Sequence, residues 1–273
     1  MYTPLAGHQS MKKIWLIKVL IVLILVPLFP MHAHAQEKAS YTFVGTHYPL
    51  VFEQDKNGQV HGLGFDILKA ISNEMGKTFK TIYLPWGRAL RMVKEGSADG
   101  IIGLYMSEAR KKFLVYSNTP FRKDHILLMT KAGRKVSWDG NFKTLKNHHI
   151  ITIRHWVYGD KFDAYKHNLN IDIANKLSHG LRMLMANRGD ILIANEQSAL
   201  YEMQKLSLMN DIVFLKPEIK PIQNYFAFSK IKNDTNFQKR FNAALLKLHQ
   251  TGQMAKLAAK HTLFQKYPPI PQG

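Results

Sequence analysis

Thirteen histidines in a 273-residue chain invite the chemistry of a metal site. Their spacing does not support one. His8, His32 and His34 lie within or before an N-terminal apolar segment. His148 and His149 are adjacent, and neighbours on a strand point to opposite faces, so they do not share a metal. No H-x-x-x-H pair or close carboxylate–histidine cluster follows residue 35. The absence of cysteine excludes a disulfide framework, a thiolate zinc site, a cysteine-ligated iron–sulfur cluster and a thiol nucleophile. Gly62-Leu63-Gly64 lacks the third glycine of a dinucleotide fingerprint, because Ile67 stands there. No phosphate loop and no G-x-S-x-G elbow occurs. No metal or cofactor is expected.

Charge is the next feature. There are 38 Lys and Arg against 19 Asp and Glu, a net charge of +19. Lys12, Lys13 and Lys18 flank an apolar run over 19–29, followed by Ala33-His34-Ala35. This is the pattern of an export signal, with a charged region, an apolar core and a small-x-small cleavage site. The run is shorter than the roughly 20 residues that span a bilayer. Residues 1–35 are therefore read as a cleaved signal peptide; the alternative is an uncleaved N-terminal anchor. Removing them takes three lysines and no acid, leaving 35 basic and 19 acidic residues, or +16. Export to the periplasm argues against nucleic acid as a partner, and the basic residues are scattered rather than arranged as a nucleic-acid-binding arm. A solvated basic surface is the simpler reading, and a cleft that attracts anions the sharper one.

The elements that must position any site alternate. Strands are expected over 41–46, 78–84, 98–104, 150–153, 190–194 and 225–229. Helices are expected over 64–76, 87–95, from 107, from 160, over 180–187, 196–205, 233–250 and 252–261. Ser107 and Glu108 suit the first turn of a helix. Such alternation predicts an α/β fold with a largely parallel sheet, and its length suggests two α/β lobes. Two stretches, 124–134 and 216–224, read as short connections between them, the second with two prolines. Short connections favour a ligand cleft between the lobes, opened and closed by a hinge.

The run from Gly64-Phe65-Asp66 through Trp86, Gly96 to Asp99, Ser107-Glu108-Ala109-Arg110, Tyr116-Ser117 and Pro120-Phe121 resembles the first lobe of the family 3 solute-binding proteins. Arg188-Gly189-Asp190, Tyr225 to Phe228 and Phe241-Asn242 continue the likeness in order over nearly the whole chain after residue 35. These are the polar amino-acid receptors of bacterial ABC importers. The resemblance implies a type II periplasmic binding protein fold, with 36–126 and 222–273 as lobe 1, 127–221 as lobe 2 and a two-segment hinge. It implies a monomer that is not an enzyme, whose partners are a small-molecule ligand and the membrane subunits of an importer or, alternatively, a membrane sensor. Carried over by position, Arg110 clamps the ligand carboxylate, for which guanidinium offers two parallel bonds. Trp86 is the aromatic platform, Tyr48 covers the ligand from the other side, and Tyr105 stands where the family has a small hydroxyl residue.

Departures from the family shape the expected ligand. Asn195 falls on or beside the acid that receives an α-ammonium group, and asparagine brings no charge. His47 stands near an acidic position of the basic amino-acid receptors. With Arg110, Arg88 and Arg154, the cleft becomes cationic, so a carboxylate, an acidic amino acid or an aromatic acid is expected. Arg154, His155, Trp156 and Tyr158 are either a second-lobe wall, with Arg154 as a further anion contact, or packing under the hinge. A periplasmic dehydratase of cyclic acids on the same fold is the catalytic alternative. Its general acid would have to be Glu196 or Glu53.

Overall fold

The computed structural model describes residues 38–261 and Tyr2; the expected signal peptide and the proline-rich tail lie outside the described residues. All described strands and helices belong to the unit Ala39–Gly273. Strand β1 (Ser40–Gly45) leads through the short pair β2 (Glu53–Gln54) and β3 (Val60–His61) to helix α1 (Leu63–Met75). Then come β4 (Thr78–Tyr83), α2 (Trp86–Lys94), β5 (Gly100–Tyr105), α3 (Glu108–Lys111), β6 (Leu114–Tyr116) and β7 (Arg122–Lys131). β8 (His149–Ile153), α4 (Asp160–Tyr165), β9 (Asn170–Ala174), α5 (Leu177–Met185), β10 (Ile191–Asn195) and α6 (Glu196–Lys205) come next. The 18-residue β11 (Ile212–Ser229), α7 (Thr235–Gln250) and α8 (Gln253–Ala259) close the fold. Among the described residues no helix is long and apolar enough to cross a membrane.

Nine strands form one sheet in the order β4-β1-β5-β11-β7-β10-β8-β9, with β6 also on β11. Each end of the sheet is parallel, β1 with β4 and β5 at one end, β8 with β9 and β10 at the other. The centre is antiparallel, because β11 runs against β5, β6 and β7, and β7 against β10. This corrects two expectations. The sheet is mixed, and the segments that read as connections are its longest strands. Proline argues against a strand interior, and here both prolines fall where pairing breaks: β11 shifts register between Leu215 and Ile219 and again between Ile219 and Ile222, the stretches holding Pro217 and Pro221.

Apolar packing holds the helices to the sheet. An aromatic cluster of Tyr41, Phe43, Phe228, Phe237 and Phe241 joins β1 and β11 to α7, with rings 3.8 Å apart for Tyr41 and Phe237. Leu177, Leu181 and Leu184 of α5 pack on Ile151 and Leu192 at the other end. Gly62-Leu63-Gly64 is a packing device. A Cβ on Gly64 would come within 2.6 Å of Ile102, and Gly62 starts α1 at φ 117°.

Candidate functional site

Parallel strands deliver their carboxyl ends to one edge of the sheet, where open α/β folds bind ligands. Here β1, β4 and β5 end facing the ends of β8, β9 and β10, and two adjoining cavities lie between them. They share Thr46, His47, Trp86 and Trp156 as walls. The first is narrow, about 50 Å³, and the second about 380 Å³. Six of the eight residues singled out from the sequence line the first cavity: Tyr48, Trp86, Tyr105, Arg110, Trp156 and Asn195. Arg154 lines only the second. Arg88 is exposed on α2 and lines neither.

Arg110 is set by the end of β5 and the turn after it. Ser107 is the N-cap of α3, and the third helical residue points back over the strand end. The guanidinium is buried, donates to the Tyr105 carbonyl at 2.8 Å and to the His155 carbonyl at 2.9 Å, and lies 5.1 Å from the centre of the Trp86 ring. Burial pushes its pKa down, since desolvation disfavours the charged form. No carboxylate forms an ion pair with it among the described residues. Two carbonyl bonds use two of its five N–H groups. The site therefore holds a desolvated cation that an anion would complete.

Tyr48 and Tyr105 are turned into a buried network centred on Asp124 of β7. Tyr105 donates to Asp124 Oδ2 at 2.9 Å, Tyr48 donates to the same oxygen, and Asn224 of β11 donates to it at 3.0 Å. Arg122 holds the other oxygen at 2.7 Å and reaches Gln197 at 2.5 Å. Burial first, then the charge on Asp124, pushes both tyrosine pKa values well up. Burial works to lower the Arg122 pKa, but Asp124 outweighs it and the net shift is upward. The two phenols thus meet the cavity through their rings rather than as free donors. Sequence reasoning missed this network because Asp124 and Asn224 fall in stretches that read as connections, and Arg122 lies just before one. Arg122 and Asp124 at i, i+2 share one face of a strand, and that spacing was the available signal.

Asn195 uses its side-chain oxygen within the fold. Its Oδ1 accepts from Ser198 N at 2.8 Å, capping α6, so the cap uses the oxygen and leaves the amide NH₂, a donor. The segment after β8 divides between its two readings. Trp156 is half-buried against both cavities, whereas Tyr158 is core, its hydroxyl accepting from Ile153 N at 2.6 Å. Arg154 donates from Nε to Asn175 at 2.8 Å. His155 contributes its carbonyl, at a φ of 64°. His47 bonds Glu202 at 3.3 Å, and that bond holds the Glu202 pKa below its ordinary value. Glu53 accepts from Leu50 N at 2.9 Å, and neither it nor Glu196 lines either of these two cavities.

At Gly103, β5 carries an extra residue. Ile102 pairs with Phe226 and Leu104 with Tyr225, leaving Gly103 between them at φ 70° on the cavity wall. A bulge of this kind re-aims the strand end that carries Tyr105.

No curated protein sequence matches the chain. Solved structures do. A histidine kinase sensor domain with similarity to periplasmic binding proteins superposes with a TM-score of 0.72 at 20% identity, covering 81% of this chain and 95% of that one. An ancestral arginine-binding protein bound to arginine gives 0.70 at 19%, covering 82% and 98%. A putative L-cystine ABC transporter protein from Listeria monocytogenes gives 0.67 at 20%, covering 82% and 96%. These likenesses carry the fold, which is the type II periplasmic binding protein fold. The profile of the bacterial extracellular solute-binding proteins, family 3, matches residues 41–264. With nearly all of the described residues inside that match, the chain belongs to family 3 of the bacterial extracellular solute-binding proteins.

Proposed function

We propose that this protein captures a small carboxylate-bearing solute in the periplasm by hinge closure and delivers it to the membrane subunits of an ABC importer. The observation that carries this reading is Arg110, a buried guanidinium on the cavity wall with two carbonyl bonds and no carboxylate partner among the described residues. Asn195 supports it, since a capped asparagine offers a donor, which suits an acid better than an ammonium group. Binding is favoured over dehydration because Glu53 and Glu196 line neither cavity and the acid that does, Glu202, is engaged by His47.

The test is a thermal-shift and calorimetric titration of the chain from residue 36 against amino acids, dicarboxylates and aromatic acids. A selective shift by carboxylates that disappears in Arg110→Ala is expected. Unchanged affinity in that variant would remove the central role of Arg110. The likeness to a sensor domain favours a second reading, in which the same capture presents the solute to a membrane sensor. Genes for permease and ATPase subunits beside this one support import, and a kinase gene supports sensing.

A further inference from the structure

The first cavity holds a buried cation and no acid. Among the described residues, no Asp or Glu lines it. An amino acid carries its ammonium on the carbon next to the carboxylate. A solute whose carboxylate met Arg110 would therefore bring that ammonium into the same small space. There it would stand beside a guanidinium, out of water and without a counter-charge, which is unfavourable. Tyr48 and Tyr105 face the space with their rings, because both hydroxyls donate to Asp124.

The body of the solute has to lie elsewhere. At about 50 Å³ the first cavity has room for a carboxylate but not for a ring. The adjoining cavity measures about 380 Å³, and Trp86 and Trp156 are walls of both. Whatever runs from Arg110 into the larger space therefore passes two indoles.

Beyond the indoles the buried lining is mainly apolar. Pro49, Ile153 and Leu177 are buried there, and the hydroxyl of Ser198 is enclosed by protein rather than open to the cavity. Arg154 and Lys176 are exposed to solvent, and Glu202 is engaged by His47. An apolar cavity of about 150 Å³ already admits benzene, so the larger space accommodates an aromatic ring. Between indoles a ring gains more than an aliphatic chain of similar area, through stacked or edge-on contact.

We infer that the ligand is an arylalkanoate, a monocarboxylate without an α-ammonium group: its carboxylate meets Arg110 and its ring occupies the larger cavity against Trp86 and Trp156. This rests on the carboxylate reading of the Arg110 site and adds the chemistry of the rest of the solute.

Calorimetry of the chain from residue 36 with 3-phenylpropanoate, L-phenylalanine, hexanoate and glutarate tests it. All four carry a carboxylate, and they differ in ammonium, ring and second acid. In the wild type, 3-phenylpropanoate should bind about tenfold or more tighter than L-phenylalanine or glutarate, and about threefold or more tighter than hexanoate. Trp156→Leu should bring the margin over hexanoate close to one, and Trp156→Phe should keep most of it. Should the leucine variant fail to fold, the four ligands on the wild type still decide. Equal or tighter binding of L-phenylalanine, glutarate or hexanoate overturns the arylalkanoate while carboxylate capture stands. A margin over hexanoate that survives Trp156→Leu overturns the placement of the ring. No binding by any of the four overturns the arylalkanoate, and the broader carboxylate titration with Arg110→Ala then decides the Arg110 site separately.

Discussion

At the scale of single residues, the chain separates groups that face the ligand from groups that hold those in place. Arg110, Trp86 and Trp156 line the first cavity, while Tyr48 and Tyr105 spend their hydroxyls on Asp124. That division has a pH signature. Both phenols have pKa values raised by burial and by Asp124, so they stay protonated in the folded chain after unfolded tyrosines have ionised. Their contribution to stability is therefore full below about pH 10, the ordinary tyrosine value, and falls as pH rises above it. Urea denaturation between pH 8 and 11 should show a steeper loss above pH 10 in the wild type than in the double variant Tyr48→Phe, Tyr105→Phe; equal slopes would argue against the network. Most of the first cavity was legible residue by residue because the likeness of motifs placed it. Arg88 was not, because position in a helix does not tell which face turns outward.

At the scale of elements, α6 is built so that one residue serves two ends. Asn195 closes β10 and caps the helix through Ser198 N at 2.8 Å. Asn195→Ala should cost about 1 kcal/mol of stability from the lost cap. Asn195→Asp keeps a capping oxygen but replaces the amide donor with an anion. It should retain most of the stability while weakening carboxylate binding, a split readable by chemical denaturation beside calorimetry. If Asn195→Ala lost binding and stability in proportion, the residue would be a cap alone. Helices and buried parallel strands were legible from periodicity and caps. β7 and the first two thirds of β11 were not, because the charges of β7 and the prolines of β11 read as loop, and only pairing with neighbours distant in sequence makes them strands. β9 was missed for a related reason: its alternation of Asn170, Ile171, Asp172 and Ile173 is short, and it is an edge strand.

At the scale of the molecule, contacts from opposite ends of the sheet meet across the cavities: Arg110 with the His155 carbonyl, and His47 with Glu202. Both are polar, and a ligand that adds contacts of its own shifts the population toward the state that makes them. Small-angle scattering should show a smaller radius of gyration with saturating ligand than without; an unchanged radius would rule out closure as the consequence of binding. The tie between Arg110 and residue 155 also bears on how such proteins diverge. Its acceptor is a peptide oxygen, so no side chain at 155 specifies it. The position demands only tolerance of a φ of 64°, open to glycine, asparagine, aspartate or histidine and hostile to valine or isoleucine. Descendants could exchange the residue freely within that set and keep the bond, so a tally of residue identities at 155 would record drift where the interaction had been inherited intact.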